Sequence, residues 1–169
     1  TQFAYHAAGW KTNEVIVGMA TNKFTYDAAG NLRTLSDGKS QLTSWGYDTY
    51  GRVASKTNDS SAKILSYLYD ANSRLTNRWS TAKGNTAYLY DAAGNLTNIN
   101  YPSSTDITYA YDSLNRMSTM VDAVGTTSWA YDVTNRFSIE DGPWSSDNVT
   151  NRWNTAGLRD SMAIQQPHA

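Results

Sequence analysis

Aromatic and polar positions alternate in short bursts along the chain, and the bursts come back every 20 to 22 residues. In each burst one aromatic stands two places before a second, as in Phe24-Thr25-Tyr26 and Tyr88-Leu89-Tyr90. Residues at i and i+2 share one face of a strand, so the pattern predicts strands with an aromatic stripe on one side. The first column of the stripe runs Phe3, Phe24, Trp45, Tyr67, Tyr88, Tyr109 and Trp129, and only Asn151 breaks it. The second runs Tyr5, Tyr26, Tyr47, Tyr69, Tyr90, Tyr111, Tyr131 and Trp153. Aromatics and Thr favour strands, and no segment carries a sustained helical apolar stripe. The chain reads as all-β.

The residues after each tyrosine predict a turn. Asp27-Ala28-Ala29-Gly30-Asn31 is the cleanest copy. The fourth position after the anchor is Gly9, Gly30, Gly51, Ser73, Gly94, Asn115, Asn135 and Gly157, so seven of eight are the residues that best tolerate φ > 0. Two right-handed residues, one left-handed residue and a bulge make a common hairpin connection. Closing the turn this way sets Asp27 opposite Asn31, Tyr26 opposite Leu32, and Phe24 opposite Thr34. The same register pairs Tyr47 with Val53, Tyr69 with Leu75, Tyr111 with Met117 and Tyr131 with Phe137, aromatic against apolar each time. It also sets Asp48, Asp70, Asp112 and Asp132 against Arg52, Arg74, Arg116 and Arg136. The links between hairpins, such as Ser36-Asp37-Gly38-Lys39-Ser40, are polar and read as irregular.

A fixed period of this length means units that bury surface against their neighbours. Residues 1–169 are expected to form a single array of eight hairpins of about 21 residues, anchored at Tyr5, Tyr26, Tyr47, Tyr69, Tyr90, Tyr111, Tyr131 and Trp153. Composition narrows the class: 40% apolar residues and a mean hydropathy of −0.58 leave little for a thick core. Fourteen basic and fifteen acidic residues are scattered, for a net charge of −1, with no basic stripe for nucleic acid. No run approaches the length of a transmembrane helix, no signal peptide is visible, and there is no cysteine for a disulfide framework. The chain starts at Thr1 rather than Met and reads as a processed product or an excerpt.

Tyr47-Asp48-Thr49-Tyr50-Gly51-Arg52-Val53, recurring through the chain, resembles the YD repeat, also called the Rhs repeat. That family includes bacterial Rhs proteins, shell components of insecticidal toxin complexes, wall-associated proteins and teneurins. The resemblance implies an antiparallel sheet spiralling into an open or tubular shell, an extracellular or cell-surface location, and in the toxin members a shell around a C-terminal toxic segment. It also implies a core motif ending Asp-Pro-x-Gly-Leu. Here Asn154-Thr155-Ala156-Gly157-Leu158 lacks both Asp and Pro. Self-cleavage and an enclosed toxin are therefore not expected within this chain.

Sixteen strands at roughly 4.8 Å each span on the order of 77 Å. With a tilt of about 40° they close a circle only about 30 Å across. A folded domain of about 100 residues would not fit inside. Strand edges at both ends are templates for pairing, so self-association into a ring or filament, or continuation of a longer array, is expected.

Catalytic chemistry is not expected. The periodic aspartates could suggest paired carboxylates, but the turn register accounts for them. His6 and His168 have no metal-ligand spacing, no nucleotide, calcium or nucleophile motif occurs, and no cofactor is implied. A glycan partner remains an alternative, because Trp10, Trp79 and Trp144 lie off the aromatic columns and could serve as stacking platforms.

Overall fold

The structure, a computed structural model, describes residues 1–16 and 20–165. Among these there are strands and turns but no helix. Two compact units divide the chain, Thr1–Thr86 and Ala87–Ala169.

The first unit holds four hairpins: β1 (Gln2–Tyr5) with β2 (Lys11–Ile16), β3 (Ala20–Tyr26) with β4 (Leu32–Ser36), β5 (Leu42–Tyr47) with β6 (Val53–Thr57), and β7 (Lys63–Tyr69) with β8 (Leu75–Ser80). The boundary falls within β9 (Gly84–Tyr90), which pairs with β10 (Leu96–Asn100). The second unit continues with β11 (Ile107–Tyr111) and β12 (Met117–Val121), β13 (Thr126–Tyr131) and β14 (Phe137–Asp141), and β15 (Val149–Trp153) and β16 (Arg159–Ile164). Sheet order is chain order, β1 through β16, and the described registers are antiparallel. This is the all-β hairpin sheet that the alternation and the turn spacing predict.

Each anchor turn has one geometry. Gly30 N–H donates to the Asp27 carbonyl at 3.1 Å, and Asp27 N–H donates to the Asn31 carbonyl at 2.9 Å. The same two bonds recur at His6, Asp48, Asp70, Asp91, Asp112, Asp132 and Asn154. All eight residues at the fourth position have positive φ, from 59° at Asn115 to 95° at Gly94.

The register departs from expectation one residue past the turn. Tyr26 faces Leu32, but Thr25 faces Thr34, so Phe24 lies opposite Leu35 and not Thr34. Arg33 is an extra residue on the return strand, and every anchor hairpin carries the same shift. A bulge of this kind puts two residues opposite one and sharpens the local twist. It also restores residues three apart to one face: Leu32 and Leu35, Leu96 and Ile99, and Met117 and Met120 all lie opposite the aromatic columns.

Two of the links are not irregular but repeat the anchor turn. Asp37 and Asn58 each accept a bond from the third residue on, and Ser40 and Ser61 hold the left-handed conformation with φ of 63° and 60°. The chain is thus a continuous meander there, turning by the same device at both edges.

No apolar side chain among the described residues is fully buried. The most enclosed are Ser80, Thr86 and Asn151. From Phe24 onward the aromatic columns are half-buried along one face, while Phe3 and Tyr5 at the first strand, and Leu68 and Leu89 on the other face, stand open. Such a layer must be held by repeated pairing and edge bonds rather than by a core.

Candidate functional site

The most organised chemistry lies along the edge of the anchor turns. Each aspartate there serves its own turn. Asp48 Oδ1 accepts the Tyr50 N–H at 2.9 Å and the Arg52 N–H at 3.0 Å, and its Oδ2 accepts Arg52 Nε at 2.7 Å. Asp70, Asp112 and Asp132 repeat the arrangement with Arg74, Arg116 and Arg136. Asp27 and Asp91 use the amides of Asn31 and Asn95 instead. Donors converging on a carboxylate favour its charged form. Asp27 is held below the usual carboxylate range first by the Asn31 side chain, and Asp112 first by the Arg116 side chain. Carboxylates bonded in this way are turn supports.

The residue after the left-handed position extends to the following hairpin. Arg52 Nη1 lies 3.0 Å from Ser73 Oγ, and its guanidinium sits 4.5 Å from the Tyr69 ring centre. Arg116 does the same to Asn135 Oδ1, at 2.9 Å, and to Tyr131, at 4.3 Å. Arg136 lies 5.4 Å from the Trp153 ring. These cations are struts that join one turn to the next, with ion pair and ring contact each adding on the order of 0.5 kcal/mol at partly exposed positions.

The anchor aromatics form a second inter-hairpin link. Tyr26, Tyr47 and Tyr69 donate their hydroxyls to the carbonyls of Lys11, Leu32 and Val53, at 2.8 to 3.0 Å. In the second unit Tyr111 and Tyr131 donate to Leu96 and Met117, and Trp153 Nε1 donates to Phe137. The acceptor is in each case the residue opposite the preceding anchor. Burial pushes the Tyr47 and Tyr111 phenols up, so they stay protonated donors at neutral pH. The carbonyl ladder was not predicted. Its one sequence signal is that the anchor column accepts Tyr or Trp, both with a polar hydrogen, and never Phe.

The three candidate tryptophans are not brought together. Trp10 occupies the strut position of the first hairpin: it lies 5.5 Å from Tyr26 and stacks on His6 at 5.5 Å. It also covers Gly30, where a Cβ would come within 2.8 Å of the indole. Trp79 is half-buried in β8, opposite Ser66. Trp144, in the β14–β15 link, is 60% exposed and borders a cleft with Glu140, Pro143, Asp147 and Gln165. His6 fills the aspartate position of its turn, its Nδ1 accepting the Ala8 N–H at 3.1 Å. His168 lies outside the described residues.

A meander of Tyr-Asp hairpins, with one bulge per return strand and the anchor side chain bonded one hairpin back, defines a YD-repeat sheet. Residues 1–131 match the teneurin YD-shell family, and the chain belongs to it. Among solved structures, the crystal structures of TcdB2-TccC3-TEV and of TcdB2-TccC3 each superpose with a TM-score of 0.71 at 15% identity, over 94% of this chain and 11% of theirs. The Photorhabdus luminescens Tc holotoxin pore gives a TM-score of 0.60 at 14% identity, over 98% of this chain and 12% of its own. At these identities the likeness is one of fold, and the chain spans about a tenth of the length of those structures' chains. No curated protein matches it.

Proposed function

We propose that this chain is a noncatalytic structural module of an extracellular or cell-surface YD shell, tube or filament, whose work is to continue a sheet. The observation that carries this reading is the ladder from anchor side chain to carbonyl. Because successive hairpins within each unit offer the next one the same acceptor, the unit that fits against this sheet is another YD hairpin. Family membership and the fold shared with Tc toxin structures support the shell role. The order β1 to β16 leaves two terminal strands, and every residue of each is exposed. β1 presents Phe3 and Tyr5, and β16 presents Met162 and Ile164, both edges with apolar side chains at 50% exposure or more. Tyr5 on one edge and the Arg159 carbonyl on the other occupy the donor and acceptor positions of the ladder. The periodic aspartates hold their own turns, which favours structure over catalysis.

Sedimentation and electron microscopy over a range of concentrations test the association. Concentration-dependent oligomers that Met162→Lys with Ile164→Lys disperses are the expected result. A strict monomer at all concentrations removes self-association and leaves a module that only continues a longer array.

Trp144 favours a second reading, a carbohydrate-binding surface segment, because it pairs an open indole with carboxylate and amide neighbours. A glycan-array signal lost in Trp144→Ala supports it; an array without signal removes it.

A further inference from the structure

One gap interrupts the row of struts in the first unit. Trp10 spans from the first turn to the second, and Arg52 spans from the third to the fourth. Between the second and third turns the strut position is Asn31, whose side chain bonds Asp27 Oδ2 at 3.0 Å and, among the described residues, nothing further. Asn95, also an amide, still bridges because Asn115 on the next turn offers an oxygen at 3.0 Å. Gly51 offers none, and the space where its Cβ would point is empty to 4 Å. A cleft of about 400 Å³ opens there, lined by Asp27, Asn31, Arg33, Trp45, Tyr47 and Asp48 among others. No cation lies over the Tyr47 ring among the described residues, whereas Arg52 covers Tyr69 one hairpin on. Among the described residues no cation is bonded to Asp27, whereas Asp48 and Asp70 each have one.

We propose that this cleft is a binding site for an arginine side chain presented by another polypeptide, which completes the missing strut. The chain itself shows the occupant. At the next turn the same surroundings hold a guanidinium against a tyrosine face, an aspartate and a turn carbonyl, Asp70 O at 3.4 Å from Arg52 Nη1. An incoming guanidinium would meet Tyr47, Asp27 and the Asp48 carbonyl in the equivalent places. A planar fork matches a carboxylate and a ring face better than an ammonium does, so arginine is preferred over lysine. Arg33 sets the limit on affinity. It is exposed, sits on the bulge beside the cleft, and lies close enough to help hold the Asp27 carboxyl in its charged form, so it repels and competes with the ligand.

NMR titration of the full chain with N-acetyl-arginine methylamide is the test, with the lysine analogue as comparator. Shifts at the Asn31 side-chain amide and at the Thr49 to Gly51 backbone, saturating in about the millimolar range, are expected. Arg33→Ala should tighten binding about threefold by removing the competitor. Asn31→Arg should abolish the shifts and raise the melting temperature, because a resident guanidinium then fills the cleft. Fixed resonances in both the native and Arg33→Ala chains overturn the proposal, as does an Asn31→Arg chain that still binds the probe. A saccharide that moves these resonances while the arginine probe does not also overturns it.

Discussion

The seventh and eighth hairpins, β13–β14 and β15–β16, have the same backbone and different chemistry. In the seventh, Asp132 gathers the Thr134 N–H, the Thr134 hydroxyl and the Arg136 N–H on Oδ1, and binds Arg136 Nε at 2.8 Å. In the eighth, Asn154 stands for the aspartate, its side chain accepting one bond, from the Leu158 N–H, and Leu158 replaces the arginine. Yet both turns close with the same main-chain bonds, both have a left-handed fourth residue, and both return strands bulge one residue later. The ion pair is therefore an accessory. What the two share beyond the backbone is an anchor side chain that donates to the hairpin before it, Tyr131 to Met117 and Trp153 to Phe137, each at 2.9 Å.

If the donor holds the hairpin in the sheet, removing it should matter most where little else does. Trp153→Ala takes away the indole N–H, the ring under Arg136 and the packing opposite Arg159. For a half-buried ring this should cost about 2–3 kcal/mol. Hydrogen exchange should show β15 and β16 opening together while β13 stays protected. Equal loss of protection in both hairpins would mean that the anchor does not act locally.

Tyr131→Phe isolates the bond from the packing. Only the hydroxyl leaves, and the Met117 carbonyl loses its donor, for a cost of about 1 kcal/mol. A thermal-denaturation shift indistinguishable from zero would reduce the ladder to a geometric coincidence of stacked hairpins.

Acid separates the hairpins in a smaller way. The Thr134 hydroxyl foremost, with the Arg136 backbone and guanidinium, holds Asp132 well below its ordinary value of 3.8. A carboxylate depressed in the folded state contributes stability above its unfolded value, and that contribution fades as pH falls through the folded one. The Thr134 and Arg136 amide resonances follow the folded-state carboxylate, so they should stay flat through the range around 3.8 where an ordinary aspartate titrates and move only well below it. The Leu158 amide, bonded to the uncharged Asn154, should stay flat throughout. Asp132→Asn should flatten the Arg136 profile as well.

Much of this was legible because turns and strand faces leave side-chain signatures. The left-handed position excludes most residues, so Gly9, Gly51 and Asn135 announce it by their spacing. The bulge was legible in principle. Leu32 and Leu35, or Met117 and Met120, are spaced by three where an unbroken strand would space them by two, and only an extra residue puts both on one face. The expected pairing of Phe24 with Thr34 overlooked that cue. The ladder and the struts were hidden for different reasons. The ladder ends on main-chain carbonyls, which any residue supplies, so nothing at Leu32 or Val53 marks an acceptor. The struts look local in sequence, because Arg52 is already accounted for by Asp48 four residues away. Its reach to Ser73 exists only once the hairpins are stacked. Trp10 looked like a stray aromatic for the same reason.

The smallest effect tests the accessory status of the ion pair directly. Asn154→Asp with Leu158→Arg transplants the pair of the seventh hairpin into the eighth, where Leu158 is 66% exposed and no described hairpin lies beyond for the new arginine to brace. The pair can then act only on its own turn. An exposed pair in good geometry contributes on the order of 0.5 kcal/mol, and much of that is lost in high salt. A double-mutant cycle read by hydrogen exchange at position 158 should give a coupling of that size at low salt. A coupling several times larger would show that the ion pair sets the turn rather than decorating it. A coupling near zero would place the value of Arg52, Arg116 and Arg136 wholly in their reach to the next hairpin.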